Sequence, residues 1–174
     1  MTVLVAVASR HGSTDEIAQA IGRSLRERGI EAEVARVDEI DDVAGYEAVV
    51  LGSAVYAGRW LESARRFVDE HVGGLSALPT WLFSSGPVGA PPKPEPEEAV
   101  HVDRVVSLTH ALDHRVFAGQ IVHSRLSFAE RAVVRAFRAP DGDFRDWDEI
   151  DAWAGSIAEA LQGRAVPAET RVPA

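Results

Sequence analysis

The chain has 174 residues, 46% of them hydrophobic, and a formal net charge of -9, which suits one globular domain with a core of ordinary size. The acidic balance disfavours non-specific binding to nucleic acid or to anionic lipid. There is no cysteine, so disulfides, thiol catalysis, thiolate zinc sites and cysteine-ligated iron–sulfur clusters are excluded.

In chain order, the apolar run Val3–Ala8 reads as a buried parallel strand. It is too short for a signal peptide and lacks a basic flank. No apolar run approaches the ~18 residues of a membrane span, so a cytoplasmic protein is expected. The polar stretch "SRHGST", residues 9–14, follows. Ile17, Ile21 and Leu25 then share one helical face, with Gly29 as the C-cap. Glu31–Val37 is a second strand. "DEIDD", residues 38–42, lacks the glycine and spacing of a calcium loop and reads as solvated. Ala48–Gly52 is a third strand, again almost wholly apolar, and the loop Ser53–Trp60 follows it. Leu61, Ala64, Phe67, Val68 and Val72 mark a helix ended by Gly73 and Gly74.

Thr80–Ser84 is the fourth strand and leads into "SSGPVG", residues 84–89. "GAPPKPEPEE", residues 89–98, holds four prolines and reads as a stiff exposed loop. Val102, Val105, Val106 and Leu112 mark the third helix, and Arg115–Ile121 the fifth strand. Residues 122–146 interrupt the alternation with "SFAERAVVRAF". Phe128, Ala132, Val133, Ala136 and Phe137 share one helical face there, opposite Arg131, Arg135 and Arg138. That segment reads as an extra amphipathic helix packed on the domain; peripheral membrane or partner contact through 128–138 is the other reading. Ile150, Trp153, Ile157 and Leu161 form the last helix, ended by Gly163. The domain spans residues 1–162, and 163–174 is a tail. Alternating strands and helices predict an α/β fold around a parallel sheet.

Open parallel sheets bind ligands beyond the carboxyl ends of their strands, where strand order reverses. In a five-stranded sheet of order 2-1-3-4-5 that point lies between strands one and three, beside Ser9–Thr14 and Ser53–Trp60. Thr14 is expected at or near a helix N-cap, with Asp15 and Glu16 in the first turn. Free N–H groups and the helix dipole make such a terminus an anion site. Ser9, Ser13 and Thr14 add hydroxyls, and Gly12 allows a close backbone curl. The loop contains no lysine, and the GxxxxGK[ST] and GxGxxG patterns are absent, so a terminal monophosphate suits the loop better than a triphosphate or bridging pyrophosphate. Ser9 and His11 do not lie on a GxSxG turn, which argues against nucleophilic catalysis. "SAVYAGRW" places Tyr56 and Trp60 at the same edge; Tyr56 suits stacking on a planar ring, and Trp60, beginning a helix, suits packing. "SSGPVG" offers hydroxyls and backbone N–H groups to the edge of a heterocycle. A phosphate, a flat ring and a polar ring edge, in that order, describe flavin mononucleotide.

"SRHGST" resembles the T/S-x-T/x-G-x-T phosphate loop of flavodoxins, and the spacing of "GSAVYAG" and "SSG" matches their two ring-binding loops; the switch-point rule has flavodoxin among its own examples. Within that superfamily the chain is most similar to the flavodoxin-like protoporphyrinogen dehydrogenases that pass electrons to menaquinone. The similarity runs over residues 1–162 and includes "SAVYAGRW", "FAGQI", the added amphipathic segment and "DFRDWDEIDAWA". Compared with those enzymes, the segment before the last helix carries few aromatic and basic residues, and the proline-rich loop is particular to this chain. The resemblance implies a flavodoxin-like three-layer sandwich, FMN and a two-electron redox role. It assigns Ser9, His11, Gly12, Ser13 and Thr14 to the phosphate, His11 mainly through its backbone N–H, while Arg10 points to solvent. It assigns Val55, Tyr56, Ala57 and Gly58 to the ring, with a peptide near Ala57–Gly58 able to rotate toward the reduced ring. Ser84, Ser85, Gly86 and Gly89 meet the pyrimidine side. Negative charge and stacking are expected to lower the flavin reduction potential.

His110 and His114 are four apart, as metal pairs on a helix are, but no Glu follows His110 and no third ligand is evident, so the pair reads as structural and no metal is expected. The acidic pair of a phosphoacceptor receiver domain is missing at Ala8–Ser9. Three functions fit: a flavin-dependent oxidoreductase acting on a porphyrinogen, a quinone or another hydrophobic reductant; an electron carrier between redox proteins; and an interaction domain without cofactor.

Overall fold

The computed structural model describes residues 1–86, 100–122 and 142–165. Its centre is a parallel sheet built from β1 (Thr2–Ala8), β2 (Glu31–Arg36), β3 (Ala48–Tyr56), β5 (Thr80–Gly86) and β6 (Asp113–Ala118). Their spatial order is β2-β1-β3-β5-β6, with the short β4 (Arg59–Trp60) antiparallel to β3. In sequence rank the five parallel strands run 2-1-3-4-5, as expected. A second, two-stranded antiparallel ribbon joins β7 (Gln120–Ile121) to β8 (Gly142–Asp143).

The helices are α1 (Ser13–Glu27), α2 (Glu62–Glu70), α3 (Val72–Ala77), α4 (Asp103–Thr109) and α5 (Trp147–Ala165), with a 3-10 turn at Val37–Glu39. They lie in two layers because a parallel strand alternates its side chains between faces. Val3, Val5 and Val7 pack with Ile17, Ile21, Phe83, Trp153 and Ile157 on the α1/α5 side. Leu4, Ala6 and Ala8 pack with Leu51, Phe67, Val68, Leu82 and Val105 on the α2/α4 side. Hence β1 has no polar residue between Val3 and Ala8: both faces are covered. Edge strand β2 alternates between exposed and partly buried positions, and its sequence carries charge accordingly.

Helix α1 ends as expected around Gly29. Its N–H donates to the Arg26 carbonyl, and the Ile30 N–H reaches back to that of Leu25, the paired bonds of a Schellman motif. Two expected stops differ. The helix breaks earlier, at His71, and Gly73–Gly74 lie inside α3; a side chain at Gly74 would sit 2.3 Å from Val43 Cγ2, so this glycine serves close packing. The last helix likewise passes Gly163 and reaches Ala165. Gly89, the proline-rich loop at 89–98, the amphipathic stretch 128–138 and residues 166–174 lie outside the described residues. No helix among the described residues is long and apolar enough to cross a membrane.

Candidate functional site

The parallel register aligns Ala8 of β1 with Ser53 of β3, and Ser53 with Ser84 of β5. The three expected loops therefore leave one rim of the sheet. The helix cap falls at Gly12, two residues before Thr14, which lies in the first turn as expected. Ser9 Oγ accepts the Gly12 N–H at 3.1 Å, folding the loop back on itself with Gly12 at φ 90°, where a side chain would be strained. A Cβ there would meet nothing within 4 Å, so the space beside the loop is open. The Glu16 N–H bonds to the Gly12 carbonyl at 3.0 Å, so the N–H groups of Ser13, Thr14 and Asp15 have no acceptor within the helix. Ser9 and Thr14 are buried, and Ser13 Oγ accepts the Gln120 N–H at 3.2 Å.

Two arginines from elsewhere in the chain join this loop. Arg36, at the end of β2, donates to Asp15 Oδ2 at 3.0 Å and to the Ser9 carbonyl at 2.9 Å. Arg145, just beyond β8, donates to Glu16 Oε2 at 2.6 Å and to the Ser13 carbonyl at 3.3 Å. Its other edge holds both oxygens of Asp143, its guanidinium carbon lies 4.5 Å from the Trp147 ring centroid, and its side chain is only 4% exposed. Burial pushes the Asp15 carboxyl upward against the lowering pull of Arg36. The hydrogen bonds from Arg145 hold Asp143 below the usual carboxylate range and raise Arg145 in turn.

The second loop is shorter than expected because β3 continues through Tyr56. It then reverses over Ala57 and Gly58 into β4, pairing Val55 with Trp60 and Tyr56 with Arg59. Both turn residues have positive φ, 49° for Ala57 and 74° for Gly58, as a two-residue type I′ hairpin requires. Ala57 is unusual there, since a β-carbon in the left-handed region costs about 1–2 kcal/mol; such strain clusters at binding sites. The Gly58 carbonyl accepts the His101 N–H at 2.7 Å, pinning the hairpin to the chain entering α4. Tyr56 is half-buried at the rim; its ring meets His11 edge-on at 6.3 Å and the exposed Arg10 guanidinium at 5.6 Å. The first two loops thus meet at Tyr56.

Trp60 packs as expected but from β4, not from a helix start. It is buried, and its indole N–H donates to Ser84 Oγ at 2.7 Å. Ser84 is fully buried on the α2/α4 side, and its hydroxyl also meets His114 Nε2 at 2.8 Å. Ser85 points to the opposite face and Gly86 ends β5 at the rim.

Two rim residues carried no sequence signal of their own beyond the "FAGQI" stretch. The Gly119 N–H bonds to the Gly86 carbonyl at 2.8 Å, its carbonyl accepts the Phe144 N–H, and Gln120 bonds to Ser13. They tie the third loop and the β7–β8 ribbon to the first loop. The helical histidine pair does not form: His110 caps α4 with φ 51°, and His114 lies on β6. No cluster of metal-ligating side chains occurs among the described residues.

The flavodoxin domain pattern matches residues 4–148. Protoporphyrinogen IX dehydrogenase (quinone) of Escherichia coli strain K12 is 26% identical over 172 residues, 91% of this chain and 95% of its own. NAD(P)H dehydrogenase (quinone) of Rhodopseudomonas palustris strain TIE-1 is 29% identical over 97 residues, 43% of this chain and 48% of its own. Among solved structures, a flavodoxin from the domain Archaea superposes with a TM-score of 0.63 at 17% identity, covering 93% of this chain and 99% of that one. Oxidised flavodoxin 1 from Bacillus cereus gives 0.62 at 16% identity, covering 91% and 98%. Sheet order, switch-point loops and the matched pattern agree, and the fold and family imply a flavin cofactor: this chain belongs to the flavodoxin-domain family.

Proposed function

We propose that this protein is an FMN-dependent oxidoreductase that moves electrons between a hydrophobic reductant of the porphyrinogen class and a quinone. The observation that carries the reading is the meeting, at one rim, of the Gly12-capped loop and the strained Tyr56–Gly58 hairpin. The donor set fits the nucleotide. Three first-turn N–H groups and the loop hydroxyls suit the phosphate. Tyr56 suits one face of a flat ring, with Val55, Ala57 and Gly58 beside it. Ser85 and the backbone at Gly86 suit the polar ring edge, with Ser84 bracing them from below.

FMN held by these residues would supply two-electron redox chemistry between a reduced substrate and a quinone. The chain's own part is to hold and orient. Trp60 and His114 fix Ser84 under the rim, and Gln120 fixes Ser13. The relatives named as quinone-dependent dehydrogenases support the reaction class. The net charge of -9 favours a second reading, an electron carrier that docks on basic partners.

The test starts with the visible spectrum of the purified protein and the mass of whatever denaturation releases; flavin bands and the FMN mass are expected. Turnover of protoporphyrinogen with a menaquinone analogue supports the enzyme. Fast, salt-sensitive reduction of a protein partner without such turnover supports the carrier. Failure of the folded protein to bind FMN removes both.

A further inference from the structure

Phosphate binding at the start of α1 meets an obstacle in the chain itself. Asp15 and Glu16 stand in the first helical turn, where two carboxylates repel a dianion although they favour the helix. The loop contains no lysine, and its Arg10 lies against Tyr56. Each carboxylate is nevertheless matched by an arginine from a distant part of the chain, Arg36 for Asp15 and Arg145 for Glu16. Each arginine also holds one carbonyl of the loop, that of Ser9 and that of Ser13.

We propose that Arg36 and Arg145 are paired positioning residues that ready the Ser9–Thr14 loop for a phosphate monoester, each bonding one first-turn carboxylate and bracing one end of the loop, with the charge of Arg145 shared between Glu16 and Asp143. The proposal rests on the reading that the FMN phosphate is held there. A trans peptide points its C=O and the following N–H in opposite directions. Holding the Ser13 carbonyl therefore aims the Thr14 N–H away from Arg145, toward the open N-terminal end of α1. Holding the Ser9 carbonyl fixes the Arg10 N–H in the same way. Asp143 takes the Nε and Nη2 edge of Arg145 and so sets which edge faces Glu16. Each pair has one exposed member, Glu16 at 55% and Arg36 at 44%, so both weaken with salt; Arg145 makes the shorter contact, 2.6 Å against 3.0 Å, and takes the larger share.

Because the arginines act on the phosphate and not on the ring, they set the preference for FMN over riboflavin. The experiment titrates the full-length apoprotein with each flavin by fluorescence quenching. Arg145→Gln is expected to raise the FMN Kd about tenfold, and Arg36→Gln about threefold at low salt, with the riboflavin Kd moving less than about twofold. Adding Glu16→Gln to Arg145→Gln recovers part of the loss, since the unmatched carboxylate in the first helical turn is then gone while Asp143 remains. Glu16→Gln alone, which keeps Arg145 in place, tightens FMN relative to riboflavin, and it decides the matter if Arg145→Gln does not fold. Equal changes for both flavins, or a selective loss of FMN in Glu16→Gln, overturns the proposal. If the wild type binds neither flavin, the cofactor reading itself falls; if it binds FMN and every variant keeps its FMN/riboflavin ratio, only the role of the arginines falls.

Discussion

Phe83 and Gly52 illustrate how single positions are constrained. A Cβ on Gly52 would lie 2.0 Å from Phe83 Cζ, and the Phe83 ring is fully buried, so it has nowhere to go. Gly52→Ala is expected to lower stability by about 1–3 kcal/mol through overpacking, measured by denaturant unfolding. Ser84→Ala removes the acceptor of the buried Trp60 indole and is expected to cost about 1–3 kcal/mol for the unsatisfied donor; an unchanged unfolding midpoint would show that the hydrogen bond contributes nothing. Within the proposed site, Thr14→Val is expected to weaken FMN binding, read by flavin titration. Tyr56→Ala is expected to shift the flavin potentials, and identical redox titrations would remove Tyr56 from the stack. Ser9–Thr14 was legible because hydroxyls and glycine before an amphipathic run signal a helix start. Thr14 does lie in the first turn, and the cap residue itself is Gly12, where the local bond from its N–H to Ser9 Oγ closes the loop.

At the scale of elements, α1 and α5 are joined through one carboxylate. Asp151 accepts from Ser24 Oγ at 2.7 Å and from both Arg28 terminal nitrogens, at 3.0 and 2.8 Å. Hydrogen bonding to Arg28 first, and to Ser24 second, holds Asp151 below its ordinary value of 3.8. A depressed carboxylate contributes stability above the unfolded pKa and loses it as pH falls through the lower folded value. Asp143, depressed by Arg145, adds to the same slope. Stability is therefore expected to drop below pH about 4, and Asp151→Asn is expected to lower Tm at pH 7 while flattening that drop, checked by Tm against pH. The strands were readable from apolar runs, but the end of β3 was not. Ser53, Ala54 and Tyr56 look like loop residues, and they become strand because β4 and β5 offer them partners.

For the whole molecule, ligand binding and folding are linked. If FMN binds only the folded chain, FMN at about 100 times Kd adds roughly 2.7 kcal/mol of stability. A rise in Tm with FMN that riboflavin matches only at far higher concentration is the expected result, and a Tm insensitive to FMN contradicts the proposed cofactor.

Strand–helix alternation, two strands apolar on both faces and the residues of the rim loops were legible in the sequence itself. Burial leaves a local periodic mark, and turn chemistry is local too. What only the tertiary structure decided lies in contacts between distant residues: Arg145 on Glu16, 129 positions away, Arg36 on Asp15, 21 away, and His114 on Ser84, 30 away. A charged or polar side chain reads the same in sequence whether it faces water or a partner; its partner is chosen by the packing of the sheet, which no local pattern encodes.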